Sequence, residues 1–414
     1  MIESEKSNAY ASLQIKDFRL FILARISITL AVQIQGTVVG WQVYELTKDP
    51  LSLGLIGLAE AIPYITVSLY AGHVADIVER KKIIVLTILV LLFCSASLLF
   101  FTIEPRKLLL SYGAIPIYAV IFISGIGRGF LSPAIFSFMP QLVPRHLYAN
   151  AISLNSTFWE GASIVGPIIA GFMFKIFGIT LTYLVDFGLV FLSLIFYFSI
   201  PRRPIPPASE DQSIGEKIQA GLKFVFSNQI ILGAITLDLF AVLFGGAIAL
   251  LPIFASDILH AGEIGFGLLR AAPGIGAVVM AIFITNYPIR KYMGKILLGC
   301  VAGFGLCMIG FGLSTSFWLS IGLLVMSGMF DSVSVIVRST LIQTLTPENM
   351  KGRVSAVNNI FIGSSNEIGA FESGFVAKLM GVVPSVVFGG AMTMLVVGIT
   401  GWKAKKLRAL VKVE

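Results

Sequence analysis

The sequence predicts an all-α membrane protein: two six-helix units that repeat one another. About twelve long apolar stretches fill the chain, and landmarks of the first six recur at one fixed offset in the last six. Pro144, Asn155, Phe158, Gly166 and Gly171 return as Pro347, Asn358, Phe361, Gly369 and Gly374. Composition agrees: 56% of residues are hydrophobic and 13% charged, against about 25% charged in soluble domains. Duplicated helical units are the building plan of many secondary transporters.

The spans are placed at 18–46, 51–78, 83–103, 112–142, 148–174 and 177–200, then at 228–256, 263–287, 295–314, 317–344, 353–379 and 382–402. Each is long enough for a bilayer, which needs roughly 20 apolar residues. The 414 residues are nearly used up by twelve such helices, so no separate catalytic domain is expected. Residues 1–200 form the N-terminal half and 228–414 the C-terminal half with a basic tail. The linker, 201–227, opens on Pro201, Arg202, Arg203, Pro204, Ile205, Pro206 and Pro207, which cannot continue a helix. Ser213–Ser227 then reads as a short amphipathic surface helix.

Orientation follows from Lys and Arg. With both termini cytoplasmic, inside segments hold 21 of the 30 basic residues, while outside loops keep only Lys48, Arg106, Lys107, Lys175 and Lys378. That is the positive-inside bias, and it fits an even number of spans. The net charge of +8 therefore reports topology and anionic-lipid contact, with no nucleic-acid partner implied. The first apolar stretch is too long for a cleaved signal peptide. Cys94, Cys300 and Cys307 lie in apolar spans without metal-type spacing, so neither a disulfide framework nor a metal site is expected.

Between the second and third spans runs Gly72-His73-Val74-Ala75-Asp76-Ile77-Val78-Glu79-Arg80-Lys81-Lys82. A small residue, an acid four positions on and a basic cluster suit a tight turn where carboxylate and cations meet helix ends. In the fifth span, Ala162-Ser163-Ile164-Val165-Gly166-Pro167-Ile168-Ile169-Ala170-Gly171 sets small residues for close helix approach around a proline that removes one backbone hydrogen bond. The loop resembles the signature loop of the major facilitator superfamily, with Ile77 where that pattern usually has Arg and Glu79 where it usually has Gly. The fifth-span stretch resembles the superfamily's antiporter motif, here carried by Ala162, Gly166, Pro167 and Gly171. Trp41–Leu46, Pro50–Gly57, Ala61–Pro63 and Glu216–Phe224 resemble the branch of prokaryotic siderophore exporters and macrolide efflux proteins.

The resemblance implies a twelve-helix carrier with alternating access, gated at Gly72, Asp76, Arg80 and Lys81. It also implies that the first, fourth, seventh and tenth helices line a cavity, while the second, fifth, eighth and eleventh form the interface between halves. Eleven charged side chains interrupt the spans: Arg25, Glu60, Arg128, Glu160, Asp186, Asp238, Arg270, Asp331, Arg338, Glu367 and Glu372. At roughly 2.5–3.5 kcal/mol each on insertion scales, a naive sum reaches on the order of 30 kcal/mol, so they must be paired, hydrated or near an end. Opposite charges occupy equivalent repeat positions at Arg128 and Asp331 and, with a slightly different offset, at Glu60 and Arg270. Arg25, Arg128, Asp238 and Asp331 are the cavity candidates; Glu60, Glu160, Arg270, Glu367 and Glu372 are the interface candidates.

Glu160 or Glu367 is the expected proton carrier, because a carboxylate in an apolar helix is placed to take up and release a proton during a cycle. No phosphate loop of the Gly-x-x-x-x-Gly-Lys-Ser/Thr type, no His-Glu-x-x-His pair and no Gly-x-Ser-x-Gly elbow occurs. An ion gradient therefore replaces ATP, no cofactor is required, and an enzyme is not the expectation. The resulting reading is a monomeric, multi-pass carrier of the cell (inner) membrane, exporting a small amphipathic molecule by proton antiport. Proton-coupled uptake, a lipid or metal carrier, and a membrane-embedded enzyme or receptor stay open beside it.

Overall fold

A computed structural model describes residues 10–103, 109, 111–204, 214–245, 247–289, 291–347 and 350–410. The linker from Ile205 to Ser213, and with it Pro206 and Pro207, lies outside the described residues, as do Arg106, Lys107 and Arg290. The helices in order are α1 (Lys16–Thr47), α2 (Pro50–Ile77), α3 (Arg80–Ile103), α4 (Ile115–Phe138) and α5 (Tyr148–Ser199). After the linker come α6 (Ile214–Ser227), α7 (Gln229–Phe244), α8 (Gly262–Asn286), α9 (Met293–Leu313), α10 (Phe317–Leu345), α11 (Lys351–Met380), α12 (Val382–Lys403) and the short α13 (Lys405–Arg408).

Ten helical stretches of the described residues are long and apolar enough to cross a membrane, and two differences from the expected spans have physical causes. The fifth and sixth spans appear as the single 52-residue α5, broken inside at Gly178 by φ 79° and ψ 175°. The expected interruption lay at Lys175–Ile176, but only a residue without Cβ adopts that positive φ without strain. The other is α11, which spans 30 residues but carries too many polar side chains to rank among the ten. In addition, the expected span 228–256 is matched by Gln229–Ile258, but regular α-helix ends inside it at Gly245, and the chain continues through a 3₁₀ turn, Ala247–Leu250, and a π turn, Phe254–Ile258, around Pro252.

Two compact units emerge. One contains α1 up to Val39 and the chain from Ile62 to residue 210; the other contains Gly40–Ala61 and everything from residue 211. In the first, Phe18, Phe21, Phe138 and Tyr197 are buried together, Phe21 standing 6.0–6.5 Å from the other three rings. In the second, the rings of Phe254 and Phe311 meet at a tilt of 35° with centroids 4.5 Å apart, and α7, α9, α10 and the segment around Leu407 share a core. Lipid is as apolar as these side chains, so fit rather than water exclusion holds helices together, and small residues mark the contacts. Trp318, Trp402 and Tyr287, 76%, 70% and 68% exposed at helix ends, are placed as interfacial anchors.

The repeat is visible in the packing. Gly166 of α5 lies on α1, where an added Cβ would stand 2.6 Å from Gln33 Cβ; its repeat partner Gly369 of α11 lies on α7, with Leu243 O at 2.8 Å from the same position. Likewise a Cβ on Gly129 of α4 would stand 3.3 Å from Tyr64 O and Val67 of α2, and at the equivalent place Ser332 of α10 donates to Ala277 O of α8 at 3.2 Å.

Candidate functional site

The signature loop is a helix junction. α2 runs through Gly72 and Asp76 to Ile77, and α3 starts at Arg80; the Asp76 side chain lies outside the described residues. Arg80 Nη1 donates to Ser137 O at the end of α4 (3.1 Å), and Lys81 Nζ donates to Phe198 O (3.0 Å) and Ile200 O (2.5 Å) at the end of α5. The last carbonyls of a helix lack internal donors and carry partial negative charge, so a cation there fills both needs. The basic cluster thus ties the start of α3 to the C-terminal ends of two other helices. Arg203 adds a fourth element, pairing at 2.5 Å with Asp17 in the first turn of α1.

The antiporter-like motif is a packing surface. Ala162, Gly166, Pro167, Ala170 and Gly171 are all buried. Gly166 is a tight point, since its neighbour Gln33 Cβ is fixed to the α1 backbone and cannot swing away.

In the second unit, the end of α1 and the start of α2 form a close junction with α11. Gly54 and Gly57 face Ala370, Phe371 and Gly374: a Cβ on Gly374 would stand 2.7 Å from Gly54 Cα, and one on Gly57 would stand 2.8 Å from both Ala370 Cβ and Glu367 O. Polar bonds flank it. Lys378 Nζ pairs with Asp49 at 2.8 Å, the Tyr44 hydroxyl donates to Asp257, and Trp41 packs on Phe266 at 5.7 Å. These contacts were missed in the sequence; Gly54 and Gly57, three apart on a predicted helix, and Gly374 at a repeat landmark were the signal available.

The intramembrane charges divide into groups. Asp238 of α7 is 6% exposed and forms an ion pair with Arg338 of α10, 3% exposed. Arg338 was not among the expected site residues, although its seven-residue spacing from Asp331 puts both on one face of α10. Asp331 itself lines a recess with Asp238 and Ser334. Glu60, Arg128, Arg270, Asp331 and Glu367 are half-buried and engage neighbouring groups. Arg25, Glu160 and Glu372 are half-buried as well, and the Arg25 Nε is buried without a hydrogen-bond partner.

A family model for transmembrane secretion effectors matches residues 7–412. The chain belongs to this family. Its relatives include the enterobactin exporter EntS of Shigella boydii serotype 18, 26% identical over 393 residues and covering 92% of this chain and 90% of the relative. The EntS of Citrobacter koseri is 25% identical over 397 residues, covering 92% of each. In fold the chain is similar to a POT family transporter in complex with 5-aminolevulinic acid, with a TM-score of 0.74 and 12% identity over 94% of this chain and 96% of that one. It is similar too to a bacterial homologue of the human lysosomal transporter Spinster, with a TM-score of 0.72 and 13% identity over 97% and 98%. The transmembrane secretion effector is therefore an all-helical, multi-pass membrane transporter of the major facilitator superfamily, and an exporter of small molecules.

Proposed function

We propose that this secretion effector exports a siderophore-like or drug-like amphipathic molecule across the cell (inner) membrane by proton antiport. The observation that carries the substrate class is the family match over nearly the whole chain together with relatives named enterobactin exporters. The working unit is a monomer with both termini cytoplasmic, no nucleic-acid partner and no catalytic activity; the two pseudo-symmetric halves, 1–200 and 228–414 around the 201–227 linker, hold twelve spans. Ten apolar stretches, the division of α5 at Gly178 and the polar α11 support that number. Alternating access moves the substrate past Arg25, Arg128, Asp238 and Asp331. Glu60, Glu160, Arg270, Glu367 and Glu372 make and break contacts as the cycle proceeds, and Asp76 with Arg80 and Lys81 gates the cytoplasmic end.

Proton coupling rests on Glu160 or Glu367, both carboxylates half-buried in helices where desolvation couples charge to conformation. Everted vesicles energised to an acid interior, with a pH dye inside, test both claims against a panel of siderophores, macrolides and cationic dyes. A compound that alkalinises wild-type vesicles, and does so far less in Glu160→Gln or Glu367→Gln, supports proton-coupled export. Unchanged coupling in both variants removes these carboxylates from the proton path, and silence across the panel removes the substrate class.

A further inference from the structure

α3 and the part of α5 beyond Gly178 pack lengthwise, and their inner faces meet around Ser95 and Asp186. Their outer faces are left to the lipid. On α3, Leu86, Leu89 and Phe93 are exposed and share one stripe, which Lys82, exposed as well, heads one turn earlier. On α5, Phe191, Ile195 and Phe198 form a second exposed stripe, and Gly188 continues it as an open notch, with nothing within 4 Å of where a Cβ would stand. Both stripes begin at one place, because Lys81 Nζ donates to Phe198 O and Ile200 O and so ties the start of α3 to the end of α5. Just past that end lies Arg202, exposed and near enough to repel Lys81.

Positive charge is in excess at this joint. Lys81, Lys82 and Arg202 stand there, and Glu79 is the acid that reaches Lys81. Among the described residues, neither Lys82 nor Arg202 has a side-chain hydrogen bond or an ion pair, and Lys81 uses two of the three donors of its ammonium. Cations gathered between helices at one face of a membrane suit acidic lipid headgroups, and exposed apolar stripes running inward from them suit acyl chains. We infer that the joint of α3 and α5 binds an anionic phospholipid, its phosphate held by Lys82, Arg202 and the third donor of Lys81, and its acyl chains laid along the two stripes. A soluble phosphate would leave the stripes without a role, and a zwitterionic lipid would bring a cation of its own toward Lys82 and Arg202. The site lies wholly in the first unit, and it needs no assumption about the exported compound. Since Lys81 already joins the two helices, a lipid bound there clamps them further and makes the stability of the exporter depend on the bilayer around it.

The test is thermal unfolding of the purified full-length protein in detergent micelles, titrated with phosphatidylglycerol or with phosphatidylcholine of the same acyl chains. A ligand that binds only the folded state raises the apparent Tm with its concentration. The expected result is a larger rise with phosphatidylglycerol in the wild type, a difference that Lys82→Gln/Arg202→Gln abolishes and Lys82→Arg keeps. Lys405→Gln/Lys406→Gln removes as much charge from exposed lysines near the end of the chain, and it should keep the difference too. Circular dichroism establishes that each variant is folded; should the double variant at 82 and 202 fail to fold, the single variants Lys82→Gln and Arg202→Gln decide, each lowering the difference part-way. Equal Tm with the two lipids overturns the inference, and so does an equal loss in Lys405→Gln/Lys406→Gln, which would make the effect one of overall charge. The same rise with soluble glycerol 3-phosphate overturns it as well, because the acyl chains would then contribute nothing. No exported compound enters the assay, so its outcome stands apart from that of the vesicle panel.

Discussion

Two glycines of α5, five residues apart, give opposite expectations for the same substitution. An alanine at Gly166 would put its Cβ 2.6 Å from Gln33 Cβ, whereas Gly161 has nothing within 4 Å of that position. Ordinary contact begins at 3.4 Å, so Gly166→Ala forces α1 and α5 apart by roughly 0.8 Å, a strain of the kind that costs about 1–3 kcal/mol in packed cores. Both alanines gain about 1 kcal/mol of helix propensity over glycine, and this gain cancels in the comparison. Gly161→Ala is thus expected to be neutral or stabilising, and Gly166→Ala to fall about 1–3 kcal/mol below it. Thermal unfolding of the two purified variants side by side reads the difference, and Gly166→Leu, with three more carbons in the same space, should be worse still. If Gly166→Ala were as stable as Gly161→Ala, the claim that the antiporter-like motif is a close helix contact would be refuted.

Other expectations follow from the same geometry. Asp76→Asn should reduce transport in the vesicle assay while leaving membrane insertion and abundance at wild-type levels, because it removes a charge at a helix junction without shortening an apolar span. Arg338→Gln should cost about 3–5 kcal/mol by leaving Asp238 a buried lone charge, and the double variant Asp238→Asn/Arg338→Gln should recover most of that; a thermal double-mutant cycle measures the coupling. Lys378→Glu should change stability by less than about 1 kcal/mol, since the lysine is 53% exposed and such pairs contribute little. Gly374→Val, at the neighbouring backbone contact with Gly54, should lower both Tm and export.

Helix positions were readable because length and apolar content alone decide whether a segment suits a bilayer, and the helix Ile214–Ser227 was readable because the linker prolines end what precedes it. Where the chain bends was harder to place. Lys175 drew the expected break in α5 to a charge, while the backbone turned three residues later at Gly178, where φ 79° is permitted. At α7 the apolar run continues to Ala255 and hydropathy alone passes over Gly245, yet Gly245 ends the helix, and a Cβ there would strike both the Phe304 ring and Ala241 O. A tertiary contact of that kind leaves no mark in a hydropathy pattern.

The charges show the other limit. Equivalence by repeat set Arg128 opposite Asp331 and Glu60 opposite Arg270, but Asp238 finds Arg338 three helices along the chain, and no periodicity connects α7 to α10. Glycine contacts and charge contacts also differ in reach. Dispersion between packed helices loses a quarter to a half of its strength over a gap of 0.5–1 Å, whereas an ion pair in a dry interior acts over several times that distance. A carrier that repacks between states therefore loses glycine contacts such as Gly54–Gly374 early in the movement, while pairs such as Asp238–Arg338 continue to pull. Substitutions at the glycines should accordingly shift how often each state is visited, and substitutions at the charges should change how transport responds to pH and to the substrate's charge.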